Sequence, residues 1–251
     1  MKNWLHKWRK ALLALSVTGL AILLVDETAA AQQLTMDFGE GGSATGRILQ
    51  LLALLTILSL APSILVMVTS FTRIVIVLSF VRSAMGLQQT PPNAVLISLA
   101  LFLTAFIMAP TLEAAYGEGI VPLIEEEITE EEAFERTAAP IHAFMMKHVR
   151  QDDLVLFMDI AKQETIERPE DTPLRVLIPA FMISELRRAF EIGFLIFIPF
   201  LIIDLVVASI LMSMGMMMLP PIMISLPFKV VFFVLVDGWQ LIAGSLIQSF
   251  G

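Results

Sequence analysis

The chain has 251 residues, 57% of them hydrophobic and only 16% charged, with a mean hydropathy of +0.82. An ordinary soluble domain is about 45–50% apolar and about 25% charged, and a chain of this size cannot hide such an excess in one core, so a soluble globular enzyme is excluded in favour of an integral membrane protein. The net charge of −8 and the absence of cysteine further exclude a basic nucleic-acid footprint, a disulfide framework and a thiol nucleophile.

Residues 1–31 read as a cleavable signal peptide. Lys2, Lys7, Arg9 and Lys10 precede a 15-residue apolar run, Ala11–Val25, and the small residues Ala29 and Ala31 precede Gln32. The run is shorter than the ~20 residues that cross a bilayer as a helix. Cleavage after Ala31 leaves Gln32 as the first mature residue, outside the cytoplasm. Residues 32–47 form a Gly-containing leader, with no G-K-[ST] and hence no phosphate loop.

Four apolar stretches follow. Ile48–Val68 contains Pro62, and Ala94–Ala109 is closed by Pro110. Phe190–Met218 contains Pro199 and Asp204, and Ile222–Phe250 contains Pro227, Lys229 and Asp237. Residues 48–110 thus form a first helical hairpin and residues 189–251 a second. Between them, residues 111–188 carry 17 of the 24 acidic residues against 8 of the 16 basic ones. In the hairpin connection Thr69–Asn93 the charges are Arg73 and Arg82, with no acid, which places it in the cytoplasm by the positive-inside rule. One crossing then separates it from an exported N-terminus, and 111–188 lies outside. Ile74–Val81, between those two arginines, is apolar but too short to cross; it is a re-entrant hairpin or a helix buried in protein.

In the acidic segment, Glu125–Glu127 and Glu130–Glu132 read as a solvated helix face or loop. Asp152 and Asp153 are candidate caps for the apolar positions that follow, and Thr172-Pro173 reads as N-cap then first helical residue. His142 and His148 are six apart, the wrong spacing for two ligands on one helix face, and read as surface residues. There is no Gly-x-Ser-x-Gly elbow, and no Gly-x-Gly-Asp surrounds Asp204 or Asp237 as a membrane aspartyl protease requires.

Charges inside spans cost about 2.5–3.5 kcal/mol on insertion scales and usually find a partner or a wet cavity. Counted from a turn at Met218, Asp204 and Lys229 differ by about three residues, ~4.5 Å of helical rise, so they are placed to pair within a hairpin or between subunits. Met212, Met214, Met216, Met217 and Met218 fall within seven residues, with Gly215 among them and Pro220-Pro221 after. Three readings are open: loose core filling, Cu(I) ligation by thioethers without any His or Cys, and a deformable seal on a turn.

The blocks Thr69–Arg82, Gly86–Asn93, Leu99–Thr104, Pro179–Leu186, Ala189–Phe194, Pro199–Leu201, Ser225–Lys229, Asp237–Trp239 and Ser245-Leu246, with Asp204 and the methionine cluster, resemble the FliP family of flagellar type III secretion export-gate proteins. The resemblance covers nearly all of residues 48–250, and injectisome relatives share its core. It implies a non-enzymatic pore subunit without cofactor, nucleic acid or metal, in which Met212–Met218 with Gly215 line the constriction. It further implies several copies, five in that family, assembled with FliR and FliQ beside FlhB and FlhA. The assembly sits at the bacterial inner membrane in the flagellar basal body and passes unfolded flagellar proteins outward. Arg73, Arg82, Asp204, Lys229 and Asp237 are the candidate assembly charges. The assembled helices need not lie as four simple spans. The expected fold is therefore an all-α integral membrane protein with about four long hydrophobic helical segments and a helical, acidic, extracytoplasmic segment, assembling into an oligomeric pore. The alternative is a small-solute or proton-coupled transporter using Asp204, Lys229 and Asp237, though no internal repeat of the kind such carriers show is visible.

Overall fold

A computed structural model describes residues 44–162, 171–216 and 218–251, without the side chains of 44–47, 50, 57 and 61. The signal-peptide expectation, with Ala29, Ala31 and Gln32, lies outside the described residues, as does Met217. The chain divides into two compact units at Thr56/Ile57. Among the described residues every regular element is helical, because the apolar stretches must satisfy their own backbone hydrogen bonds when water is absent.

Helix α1 spans Ala44–Val68. In the first unit Ile48, Leu49, Leu51, Leu52, Leu54 and Leu55 are all exposed. A helix apolar around its whole circumference is a membrane or assembly element rather than one face of a soluble core.

In the second unit α1 breaks at Thr69-Ser70 and the chain continues as α2, Phe71–Ala84. The break is stitched by hydroxyls: Thr69 Oγ1 donates to the Leu65 carbonyl at 2.6 Å, and Thr72 Oγ1 to the Val66 carbonyl at 2.7 Å. These bonds satisfy carbonyls that a broken helix would leave without partners. The α2 helix is the most buried element of this unit. Ile74, Val77, Val81 and Ala84 are completely buried, and Leu78 nearly so. Of the two sequence readings of Ile74–Val81, the structure has the helix buried in protein.

Helix α3 runs Asn93–Ala115 through Pro110, and a π-helical turn, Tyr116–Ile120, leads into the short α4, Val121–Ile124. Gly119 in that turn lies so close to Thr137 that a Cβ would collide with its side chain. Thr137 belongs to α5, Glu130–His148, whose N-cap Thr129 accepts a hydrogen bond from the Glu132 amide at 3.3 Å. The glutamates at 130–132 occupy the first turn, where the helix dipole favours anions.

Helix α6 is Gln151–Ile160, with Arg150 at the N-cap position and no side-chain cap hydrogen bond; Asp152 and Asp153 sit inside its first turn and are not the caps the sequence implied. Helix α7, Leu174–Ser213, is one 40-residue helix that passes through Pro179 and Pro199. Its N-cap is Pro173, one residue later than expected from Thr172-Pro173. At 1.5 Å per residue it is about 60 Å long, twice the ~30 Å hydrocarbon core. It therefore reaches from the acidic segment through the apolar one, across the boundary drawn at 188/189.

Helices α8, Pro221–Leu235, and α9, Gly238–Gln248, meet at 62°. Asp237 forms the corner in the left-handed region at φ 50°, and Gly238 packs against the Phe233 ring with no room for a Cβ. Two helical stretches, Asn93–Ile124 and α7, are long and apolar enough to cross a membrane, or four in all if α1 and the α8–α9 pair each count as a broken span. This matches the four apolar stretches of the sequence.

The expected separation of Thr69–Asn93 from residues 111–188 is corrected. Val68 packs against the cluster of Met145, Leu177 and Phe181, and Arg73 meets Glu185. The start of that connection therefore lies with the 111–188 segment, not one crossing away from it. The positive-inside rule weighs solvated charges in loops, whereas Arg73 is buried in a helix with a partner.

Candidate functional site

An ion pair lies at each end of α2. At its first turn, Arg73 Nε donates to Glu185 Oε2 at 2.8 Å, and Arg73 Nη2 donates to Glu185 Oε1; both side chains are completely buried. Arg73 Nη1 donates to the Ser249 carbonyl at 3.1 Å and to Ser249 Oγ at 2.9 Å, and the guanidinium carbon lies 3.6 Å from the centre of the Phe250 ring. The planar fork of arginine fits a carboxylate bidentately and stacks on an aromatic face, which lysine cannot do. One side chain thus ties α2, α7 and the residues after α9 together.

Around this pair the acidic segment is fastened to α7. Ser184 Oγ donates to Asp153 Oδ2 at 2.7 Å and accepts from the Arg150 amide at 3.0 Å. His148 is buried, with its ring 5.1 Å from Phe250 and 4.7 Å from Phe144. It is not the surface residue read from sequence. His142 is half-buried, its Nε2 2.8 Å from the Thr172 carbonyl.

Burial, reinforced by the charges of Arg73, Lys147 and Arg188, lowers the His148 imidazole from 6.5 to about 4. The folded protein therefore refuses a proton that the unfolded chain accepts. Stability is full above pH ~6.5, falls as the pH drops from ~6.5 towards ~4, and levels off below, with a limiting loss of roughly 3 kcal/mol. Thermal melts of the detergent-solubilised protein should drop between pH 7 and pH 5. His148→Phe, which keeps an aromatic ring but cannot titrate, should flatten that dependence; an unchanged slope would remove His148 as its source.

At the other end of α2, Lys229 Nζ lies 2.6 Å from Asp204 Oδ2 and donates to the Ala84 carbonyl at 3.2 Å. Ser225 Oγ donates to Asp204 Oδ1 at 2.5 Å. The ammonium thus serves two purposes, neutralising Asp204 and capping the last turn of α2, where cations are favoured. Within one chain the pair joins α7, α8 and α2. Arg82 instead holds the α2–α3 connection, donating to Asn93 Oδ1 at 2.6 Å and to the Pro91 carbonyl at 3.3 Å. Asp237 is exposed at the α8–α9 corner.

The methionine cluster ends α7. The Met216 amide donates to the Leu211 carbonyl at 2.9 Å and the Gly215 amide to the Met212 carbonyl at 3.1 Å, with Gly215 at φ 72°. This is a Schellman stop, which needs a residue free to adopt positive φ. Met212, Met214, Met216 and Met218 are 62, 61, 43 and 98% exposed. They are not packed into this subunit's core. Among the described residues no three His, Cys, Asp or Glu side chains converge as a metal site.

Sequence reading singled out Arg73, Asp204 and Lys229 but not Glu185, Ser249, Phe250 or His148 as parts of these clusters. Glu185 had one available signal: it is an acid amid the apolar residues of Val176–Leu186, and a buried charge requires a partner. Nothing in the sequence ties it to a residue 112 positions earlier.

The helices, their apolar exteriors and the two braced charge pairs define an all-α membrane protein. The FliP family model matches residues 54–246. The flagellar biosynthetic protein FliP of Caulobacter vibrioides is 57% identical over 243 residues, covering 96% of this chain and 91% of that one. The protein of the same name from Bacillus subtilis is 62% identical over 201 residues, covering 80% and 91%, and that from Aquifex aeolicus 55% over 214 residues, covering 84% and 89%. The chain belongs to the FliP family.

Proposed function

We propose that this protein is a pore-forming subunit of the flagellar type III export gate, conducting unfolded flagellar proteins across the inner membrane at the basal body. The observation that carries this reading is the methionine turn, whose described side chains face away from their own subunit. Apolar side chains exposed in this way require cover from lipid, other subunits or cargo. Hydrophobic constrictions block ions by dewetting, and unbranched methionine adapts to passing chains of varied size. Several copies, five by resemblance, would bring Met212, Met214, Met216, Met217 and Met218 into a ring around Gly215. FliR and FliQ would complete the assembly, with FlhB and FlhA adjacent. Cleavage after Ala31 would leave Gln32 at the mature N-terminus, outside the cytoplasm. The carrier alternative gains no support from Asp204 and Lys229, which are engaged with each other, Ser225 and the end of α2.

Replacing Met216, Met217 and Met218 together by alanine should leave the complex assembled but leaky to small ions. The measurement is ion or dye permeability of vesicles carrying the variant, beside a check of complex size. A tight membrane around an intact complex would return the cluster to ordinary packing.

A further inference from the structure

Two unlike cavities meet where α7 leaves the charged part of the chain. The first, of 290 Å³, is lined by Arg73, Arg150, Arg188, Glu191, Ile192 and Ser249. The second, of 440 Å³, is an apolar groove between α7 and α9 over Val77, with Leu195, Ile196, Leu241 and Ile242 among its walls. The two are neighbours, with Ile192 and Ser249 lining both.

The polar cavity is rich in guanidinium groups. Arg73 is engaged by Glu185, Ser249 and Phe250. Arg150 reaches the exposed Asp152 through Nη2 at 3.3 Å, but its buried Nη1 has no hydrogen-bond partner. Arg188 is half-buried in the lining, and its charge acts on the neighbouring Glu185 carboxylate. Glu191, the one acid in the lining, is held by Arg187 Nε at 3.1 Å. A buried guanidinium nitrogen without an acceptor is costly, and planar guanidinium groups match the oxygens of a phosphate.

The depth along α7 fits a lipid. After Glu191 no charge occurs until Asp204, so the arginine cavity sits at the mouth of the apolar run. Arginines at that level meet lipid phosphates, and basic pockets between membrane helices take anionic headgroups. From Ile192 the groove leads along the apolar run, past Leu195 and Ile196.

We infer that this amphipathic site holds an anionic phospholipid, with its phosphate against Arg150 and Arg188 and the upper part of one acyl chain between α7 and α9. A soluble anion would leave the groove empty, and a zwitterionic choline headgroup would bring a cation to a cavity lined, among the described residues, by three arginines and one acid. The inference rests on the membrane class of the fold and not on the pore reading, and its test involves no transport.

The full-length protein, purified in mild detergent, is offered phosphatidylglycerol and phosphatidylcholine of identical chains, and the retained lipid is counted by native mass spectrometry. Phosphatidylglycerol should be retained on the order of tenfold more, as expected for two nearby arginines. The Arg150→Gln/Arg188→Gln double variant should lose that preference, while Arg188→Lys, which keeps the charge, should retain most of it. Ile242→Trp, which fills the groove, should weaken retention with the arginines intact. Equal retention of the two lipids by the unmodified protein overturns the proposal without recourse to any variant. Competition by glycerol phosphate at concentrations matching the lipid would identify a free-anion site and overturn the lipid source. Loss of the lipid on self-association, with the groove covered by a second copy, would overturn it too.

Discussion

Glu185→Ala is expected to be the most damaging single substitution in the described structure. It leaves the Arg73 guanidinium fully buried in α2, facing an empty site where two charge-assisted hydrogen bonds had been. Removing one member of a buried pair costs about 3–5 kcal/mol, because the remaining charge keeps its desolvation penalty and loses its compensation. That is a large share of the ~5–15 kcal/mol that holds an ordinary protein folded. Arg73→Ala should cost a similar amount, since it strands the carboxylate and releases Ser249 and Phe250 as well. The readout is the midpoint of thermal unfolding in detergent, beside the amount of protease-resistant protein in membranes. Replacing both residues by apolar ones, Arg73→Met with Glu185→Leu, should be milder than either alanine variant, because no uncompensated charge remains. If Glu185→Ala melts like the unmodified protein, the pair is not a brace.

The second large effect is expected at Lys229. Lys229→Ala removes the partner of Asp204 and the cap on Ala84 together, so α7, α8 and the end of α2 lose their common tie. Asp204 is 26% exposed and keeps its bond from Ser225, which places the cost at the lower end of the buried-pair range, about 3 kcal/mol. The complex should fail to form or run small on native gels, and motility should fall with it. Exchanging the two residues should restore little, although the charges still match. The carboxylate of Asp at 229 would then face the Ala84 carbonyl, at a helix end that favours cations. Full recovery by the exchanged pair would mean that only the ion pair matters and that the cap on α2 contributes nothing.

The sequence by itself determined what local rules can reach. Composition set the membrane class, and long apolar runs set the helices now seen as α1, α3, α7 and the α8–α9 pair. The Gly215 stop was legible because a helix needs a residue free to take positive φ there, and the Asp204–Lys229 pairing because both lie on one hairpin at matched depth. Tertiary structure decided the rest. The run Ile74–Val81, too short to span and flanked by arginines, left a re-entrant hairpin and a buried helix open, and packing decides for the buried helix, with Arg73 neutralised by Glu185. That pairing joins residues 112 apart in the chain, and it brings the start of Thr69–Asn93 against the 111–188 segment. The burial of His148 and the meeting of a basic cavity with an apolar groove arise in the same way. Periodicity and charge counting register which residues share a helix; which helices share a neighbour is set by packing between distant segments, and it is there that a charge becomes a partner or a liability.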